Sequence, residues 1–227
     1  METGRPDHFN ASLVLAGAGK MGSALLRAWI ERGYDPRQIN VVEPHPSPEI
    51  LELCRRNGLA LGLPSNPPQT LVLAMKPQIL DEAAAALAPF ADQSTLIISI
   101  LAGKTIANLG SKLPGARAII RAMPNLPASV GRGITALAAN AEATPAQRNY
   151  AEALLGAAGR VEWLANEQYI DAVTAVSGSG PAYVFYLAEA LAAAGEGLGL
   201  PGEMAARLAR AAVEGAGELL YQSQGST

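Results

Sequence analysis

The chain has 227 residues, 49% of them apolar and 16% charged, with a formal net charge of −3. That balance supports a substantial core, in one large domain or two modest ones, and excludes global disorder. No lysine/arginine block supplies the footprint of a nucleic-acid binder, the single cysteine (Cys54) excludes an internal disulfide framework, and two isolated histidines (His8 and His45) build no zinc site.

In chain order, the first part alternates strand-like and helix-like segments. Residues 12–16 form an apolar run of strand type, followed by Gly17, Gly19 and Gly22 at G-x-G-x-x-G spacing. A helix pattern then covers 20–32 and stops at Gly33. Residues 40–43 read as a second strand, 48–57 as a helix between Pro48 and Gly58, and 70–75 as a third strand. An alanine-rich helix is predicted over 79–90, a fourth strand over 95–100, a helix over 104–112 and a fifth strand over 116–121. The pattern continues with a strand at 133–138, a helix at 145–158 with Thr144 as N-cap, and a strand at 161–164. Apolar strands alternating with amphipathic helices argue for an α/β domain with a mostly parallel sheet covered on both faces.

The character changes near 165. Helices rich in alanine and glycine are predicted over 169–175, 181–197 and 201–221, with no strand after 167. The expected organisation is therefore a dinucleotide-binding domain over 1–164 and an all-α domain over 165–227. Helices with so little bulk are expected to pack on the first domain or on a second copy of the chain. The tail 222–227 is polar and expected to fray. Residues 1–8 lack a signal-peptide pattern and no apolar run reaches membrane-spanning length, so a cytoplasmic protein with neither membrane nor nucleic-acid partners is expected.

The strand–glycine turn–helix order is what a dinucleotide needs: a tight turn, a backbone bare enough to approach a diphosphate, and a helix N-terminus with free N–H groups. Gly17 and Gly19 would make the turn and the approach, Gly22 the close packing of helix on sheet, and the first-turn N–H groups of Lys20 and Met21 would face the phosphates. For Met21, packing beneath the ligand is an equal reading. Glu43 ends the second strand, where an acid can bind the adenosine ribose and would repel a 2′-phosphate. NADH or NADPH is the expected cofactor, with NADH favoured by Glu43. His45, in a loop between prolines, reads as an exposed side chain.

Three further stretches carry a family resemblance: Ala74-Met75-Lys76-Pro77-Gln78, Arg121-Ala-Met-Pro124-Asn125-Leu-Pro127-Ala, and Asp171-Ala-Val-Thr-Ala-Val-Ser177-Gly-Ser179-Gly-Pro181-Ala-Tyr183. With the glycine fingerprint, the set closely resembles pyrroline-5-carboxylate reductase over nearly the whole chain. The resemblance implies a Rossmann-type domain, then an all-α dimerisation domain whose helices interleave with a second copy, in a homodimer or a larger assembly of dimers. It implies hydride transfer from NAD(P)H to the C=N carbon of 1-pyrroline-5-carboxylate, giving L-proline.

Under this resemblance Asn66 occupies a position on the adenosine side of the cofactor. Ala74, Met75, Lys76 and Pro77 line its nicotinamide end, with Lys76 reaching ribose hydroxyls. Leu101 and Ala102 close the fourth strand at the ligand-bearing edge of the sheet. Asn125 is a polar neighbour for the nicotinamide carboxamide, Glu167 lies near the substrate, and Ser177 and Ser179 either hold a carboxylate or cap helices. Arg121 has no assigned role, and Tyr183 reads as a packed aromatic. No general acid is assigned, because a cyclic imine takes a proton readily from water. Family members carry a downstream Ser-Pro-Gly-Gly segment beyond the point where this chain stops; trimming, truncation or a true short variant would each account for that, and only in the last case is an incomplete substrate site expected. Two alternatives stay open: another imine or β-hydroxyacid-type reductase, and a non-catalytic nucleotide-binding assembly subunit.

Overall fold

The structure, a computed structural model, describes residues 11–223. His8, the 1–8 segment and the end of the polar tail lie outside the described residues. The first of two compact units ends at Thr174 and the second begins at Ala175.

The first unit is built on one eight-stranded sheet. Its strands are β1 (Leu13–Ala16), β2 (Ile39–Val42), β3 (Ala60–Leu61), β4 (Thr70–Leu73), β5 (Leu96–Ser99), β6 (Ile119–Met123), β7 (Gly133–Ala139) and β8 (Gly159–Trp163). Their spatial order is β3-β2-β1-β4-β5-β6-β7-β8. All neighbours pair in parallel except β6 and β7, which run antiparallel. The strand β3 escaped the sequence reading because two residues are too short a run to show a strand pattern.

Strands buried on both faces explain the unbroken apolar runs of β1, β4 and β5. Side chains alternate between faces along a strand. Leu13 and Leu15 join the core beneath α1 (Lys20–Glu31), α2 (Pro48–Asn57) and α5 (Pro145–Gly156). Val14 and Ala16 join the opposite core, beneath α3 (Leu80–Leu87) and α4 (Ile106–Lys112). Cys54 is an apolar core residue of α2. On the first face, Trp29 Nε1 of α1 donates to the Leu154 carbonyl of α5 at 2.8 Å.

Helix ends follow local chemistry. Ser47 and Thr105 cap α2 and α4, and Thr144 with Gln147 forms a reciprocal capping box on α5. The cap at Thr105 makes α4 start later than 104. The expected helix over 79–90 is shorter, with 3-10 turns at Pro77–Ile79 and Ala88–Phe90, where Pro89 stops the α-helical ladder.

A pair of tyrosines pins the chain entering β1. Tyr34 Oη donates to the Ala11 carbonyl at 2.5 Å and lies 2.8 Å from Tyr150 Oη. Burial, then the neighbouring Tyr150, pushes the Tyr34 phenol far above its ordinary value, and burial raises Tyr150 as well. Tyrosines in the unfolded chain ionise near about pH 10, whereas the folded pair holds its protons. The folded state then binds more protons, so this contribution is full below about pH 10 and is lost as pH rises through the alkaline range. Tyr34→Phe is expected to lower unfolding free energy by about 1–2 kcal/mol at neutral pH and to flatten the alkaline loss, both read from denaturant midpoints across pH.

The first unit extends past the expected break at 164, because Glu167 bonds to groups of that unit and Ile170 is buried. A 3-10 turn Glu167–Tyr169 leads into α6 (Ile170–Val173) and then a π turn, Thr174–Gly178. The second unit is a hairpin of α7 (Gly180–Gly197) and α8 (Gly202–Gln222). Gly195 lets the two helices meet closely: a Cβ there would lie 3.1 Å from the Ala205 Cβ. No residue of α7 is buried, and Tyr183, Phe185, Tyr186, Leu187, Leu208 and Leu219 are all exposed. Tyr183, read from the sequence as a packed aromatic, is 64% exposed on α7 within the single chain. Among the described residues, no helix is long and apolar enough to cross a membrane.

Candidate active site at the β1–α1 turn

The turn after β1 is held by backbone contacts that only glycine permits. Gly17 has φ +99°, and a Cβ there would lie 2.4 Å from the Met75 nitrogen. Its own N–H donates to the Val42 carbonyl at 2.9 Å, while the Ala74 N–H donates to the Ala16 carbonyl at 2.7 Å. The turn is thus pressed between the ends of β2 and β4. A Cβ at Gly22 would lie 2.2 Å from the Gly17 carbonyl oxygen, so α1 rests directly on the turn it follows. Gly19 differs: a Cβ there meets nothing within 4 Å, which leaves open space above the helix entrance.

That entrance carries no side-chain cap and no acid in its first turn. The first N–H groups of a helix have no intrahelical acceptor, and the dipole there favours an anion. Lys20 is exposed beside them, while Met21 packs partly into the core. The starts of α3, α7 and α8 are uncapped as well; what sets α1 apart is the glycine turn ahead of it and the open space at Gly19, which with its unspent donors fits a diphosphate at Gly19–Lys20–Met21.

Glu43 is neither loose nor solvent-directed. Its Oε2 accepts from the Ala18 N–H at 2.9 Å and its Oε1 from the His45 N–H at 3.2 Å. The carboxylate ties the end of β2 to the glycine turn, and its remaining lone pairs stay available to hydroxyl donors. The His45 side chain is exposed.

The other sequence candidates lie on five separate segments. Ala74, Met75 and Pro77 stand half-buried past the end of β4, and Lys76 is exposed there. Leu101 follows β5, but its side chain belongs to the core, so only its backbone faces a ligand; Ala102 beside it is exposed. Asn66 is exposed on the β3–β4 connection. Asn125 is buried, and its Oδ1 accepts from the Ile134 N–H at 2.9 Å, which spends that oxygen on holding the β6–β7 loop. Ser177 lies within the π turn, a feature common at functional sites. Ser179 stays in right-handed helical conformation and its side chain does not cap α7, so the capping alternative fails there.

Sequence reasoning left Arg121 without a role. It is 6% exposed on β6 and its Nη1 donates to Glu167 Oε1 at 3.0 Å. The signal was present: an arginine inside Ile-Ile-Arg-Ala-Met must find an anion when that strand is buried. Its partner, 46 residues away, left no mark in the sequence.

The strand order β3-β2-β1-β4-β5-β6, the glycine turn at the centre of the sheet and the bare helix entrance define a Rossmann-type dinucleotide-dependent oxidoreductase. Residues 12–103 match the family model described as NADP oxidoreductase coenzyme F420-dependent, and residues 167–227 match pyrroline-5-carboxylate reductase dimerisation. The pyrroline-5-carboxylate reductase of Synechocystis sp. is 42% identical over 218 residues, covering 93% of this chain and 80% of that protein. Pseudomonas aeruginosa pyrroline-5-carboxylate reductase is 37% identical, over 93% of this chain and 79% of the relative. The solved structure of a pyrroline-5-carboxylate reductase from Coxiella burnetii superposes with TM-score 0.87 at 33% identity, covering 96% of this chain and 82% of that one. Plasmodium falciparum pyrroline carboxylate reductase, solved with NADP bound, gives TM-score 0.79 at 27% identity, over 95% and 80% of the two chains. The chain belongs to the pyrroline-5-carboxylate reductase family, and its C-terminal helices are that family's dimerisation domain.

Proposed function

We propose that this chain reduces 1-pyrroline-5-carboxylate to L-proline with a reduced nicotinamide dinucleotide. When bound, the dinucleotide supplies a hydride to the C=N carbon; the ring nitrogen keeps a proton taken from water, and proline and the oxidised dinucleotide result. The chain's own contribution is placement. The N–H groups of Lys20 and Met21 and the open space at Gly19 take the diphosphate, and Gly17 and Gly22 hold that entrance against Ala74 and Met75. Ala74, Met75, Lys76, Pro77, Leu101 and Ala102 line the nicotinamide side by backbone and by small groups, and Asn66 the adenosine side. Holding the reactants in register is the catalytic effect such a reaction needs most.

The observation that carries this reading is the interlocked, uncapped turn in a chain 42% identical to a pyrroline-5-carboxylate reductase. NADH is the cofactor this reading favours, since Glu43 follows β2, where an acid can bind the adenosine ribose and would repel a 2′-phosphate. The working form is a homodimer or an assembly of dimers, supported by the exposed apolar residues of α7 and α8. Purified protein is expected to oxidise NADH on addition of pyrroline-5-carboxylate and to form proline stoichiometrically. Turnover only with other cyclic imines favours a different imine reductase, and dinucleotide binding without turnover favours a non-catalytic subunit.

A further inference from the structure

One carboxylate oxygen joins three separate segments of the first unit. Glu167 Oε1 accepts from the Ile106 N–H at 2.8 Å and from Arg121 Nη1 at 3.0 Å. Ile106 opens α4, directly after the loop that carries Leu101 and Ala102. Its N–H is a first-turn donor with no intrahelical acceptor, and the Thr105 hydroxyl is already bonded to the Asn108 N–H. Arg121 sits on β6, just ahead of the loop that carries Asn125. Its side chain is 7% exposed and that of Glu167 26%, so the arginine charge is held inside the protein by this one carboxylate. An uncompensated charge in such a place is strongly unfavourable, whereas removing both charges together costs little.

We propose that Glu167 and Arg121 are a positioning pair for hydride transfer, setting the β5–α4 and β6–β7 loops rather than touching the substrate. The inference rests on the reductase reading above. It assigns Glu167 a different task from the substrate contact expected by resemblance: its Oε1 is committed to two protein donors on two different elements. The pair fixes both loops at the edge of the sheet where the candidate nicotinamide-side residues stand. Misplacement there slows the chemical step more than it weakens binding, since reacting atoms must approach closely and in line.

The test compares wild type, Glu167→Gln, Arg121→Met and the double variant, each measured for kcat and KM with pyrroline-5-carboxylate, dinucleotide affinity and Tm. Glu167→Gln keeps an acceptor for the Ile106 N–H but strands the arginine; kcat is expected to fall about tenfold or more, with substrate KM changed less than about threefold. In the double variant both charges are gone, and kcat is expected to return to within about fivefold of wild type with Tm recovered. If Glu167 instead touches the substrate, the double variant stays as slow as Glu167→Gln with a raised KM, and the proposal is overturned. An unchanged kcat in Glu167→Gln overturns it too. Should Glu167→Gln not fold, the double variant decides alone: an active one supports the pair, and a folded, dinucleotide-binding but slow one refutes it. A wild type with no turnover refutes the reductase reading itself, a different failure from an active wild type whose double variant is not rescued.

Discussion

Gly22→Ala is expected to lose fold stability and dinucleotide binding together, whereas Gly19→Ala loses binding alone. At Gly22 the added Cβ would stand 2.2 Å from the Gly17 carbonyl oxygen, a backbone atom with no rotamer to escape into. Overpacking typically costs 1–3 kcal/mol, and a backbone-against-backbone clash belongs at the upper end, about 3 kcal/mol. In a chain of this length that corresponds to a fall in Tm of roughly 10 °C. Relief requires α1 to lift from the turn, which moves the Lys20 and Met21 N–H groups away from the phosphates. At Gly19 the Cβ meets nothing within 4 Å, so Tm should stay within about 1 °C of wild type. The same Cβ then occupies the space through which a diphosphate must approach, and the dinucleotide Kd is expected to rise at least about tenfold. Thermal unfolding and dinucleotide titration of both variants check the pair of outcomes. Undiminished binding by Gly19→Ala would place the phosphates elsewhere.

Glu43→Gln is expected to move cofactor choice from NADH toward NADPH by about 10- to 100-fold in the ratio of kcat/KM values. A 2′-phosphate beside the Glu43 carboxylate meets a like charge at a site only partly screened by solvent, and such contacts are worth roughly 1–3 kcal/mol. Glutamine keeps one side-chain oxygen to accept from the Ala18 N–H, which now bonds Glu43 at 2.9 Å, and gives up only the longer bond from the exposed His45 N–H at 3.2 Å, so the glycine turn keeps its tie while the charge goes. NADH turnover should fall less than about fivefold, the loss of one charge-assisted hydrogen bond to a ribose hydroxyl. A wild type that already prefers NADPH would show that the carboxylate points away from the ribose when the dinucleotide binds. Glu43→Ala would be a poorer probe, since it removes charge and the bond to the turn at once.

The architecture was legible where physics acts locally. Apolar strands, glycine stops and the cap at Thr144 each announce themselves within a few residues, and the elements they bound lie close to their expected places; the caps at Ser47 and Thr105 escaped the sequence reading, and α4 starts two residues later than expected. What stayed hidden depends on distant neighbours. Nothing in the residues 133–138 says that β7 reverses direction against β6. Gly17 reads as a turn glycine, but its need for close approach comes from Met75, on another strand connection. Glu43 could be placed at the end of a strand, yet its bond to Ala18 exists only because the parallel pairing of β1 and β2 brings the two ends together. The dimerisation family model begins at 167, yet the compact sheet unit runs on to Thr174, because Glu167 is bonded into it by contacts that local pattern does not carry.

The hairpin of α7 and α8 has a wider consequence. Its helices touch through glycine and alanine and leave their tyrosines, phenylalanine and leucines facing outward, so the hairpin holds too little interior to stand by itself. Residues 167–227 match a dimerisation family model, so a second copy is expected to cover these residues and complete the fold. The expected consequence is a robustness that scales with how much protein is present: dilution would act as a denaturant does, and scarcity alone would loosen the fold.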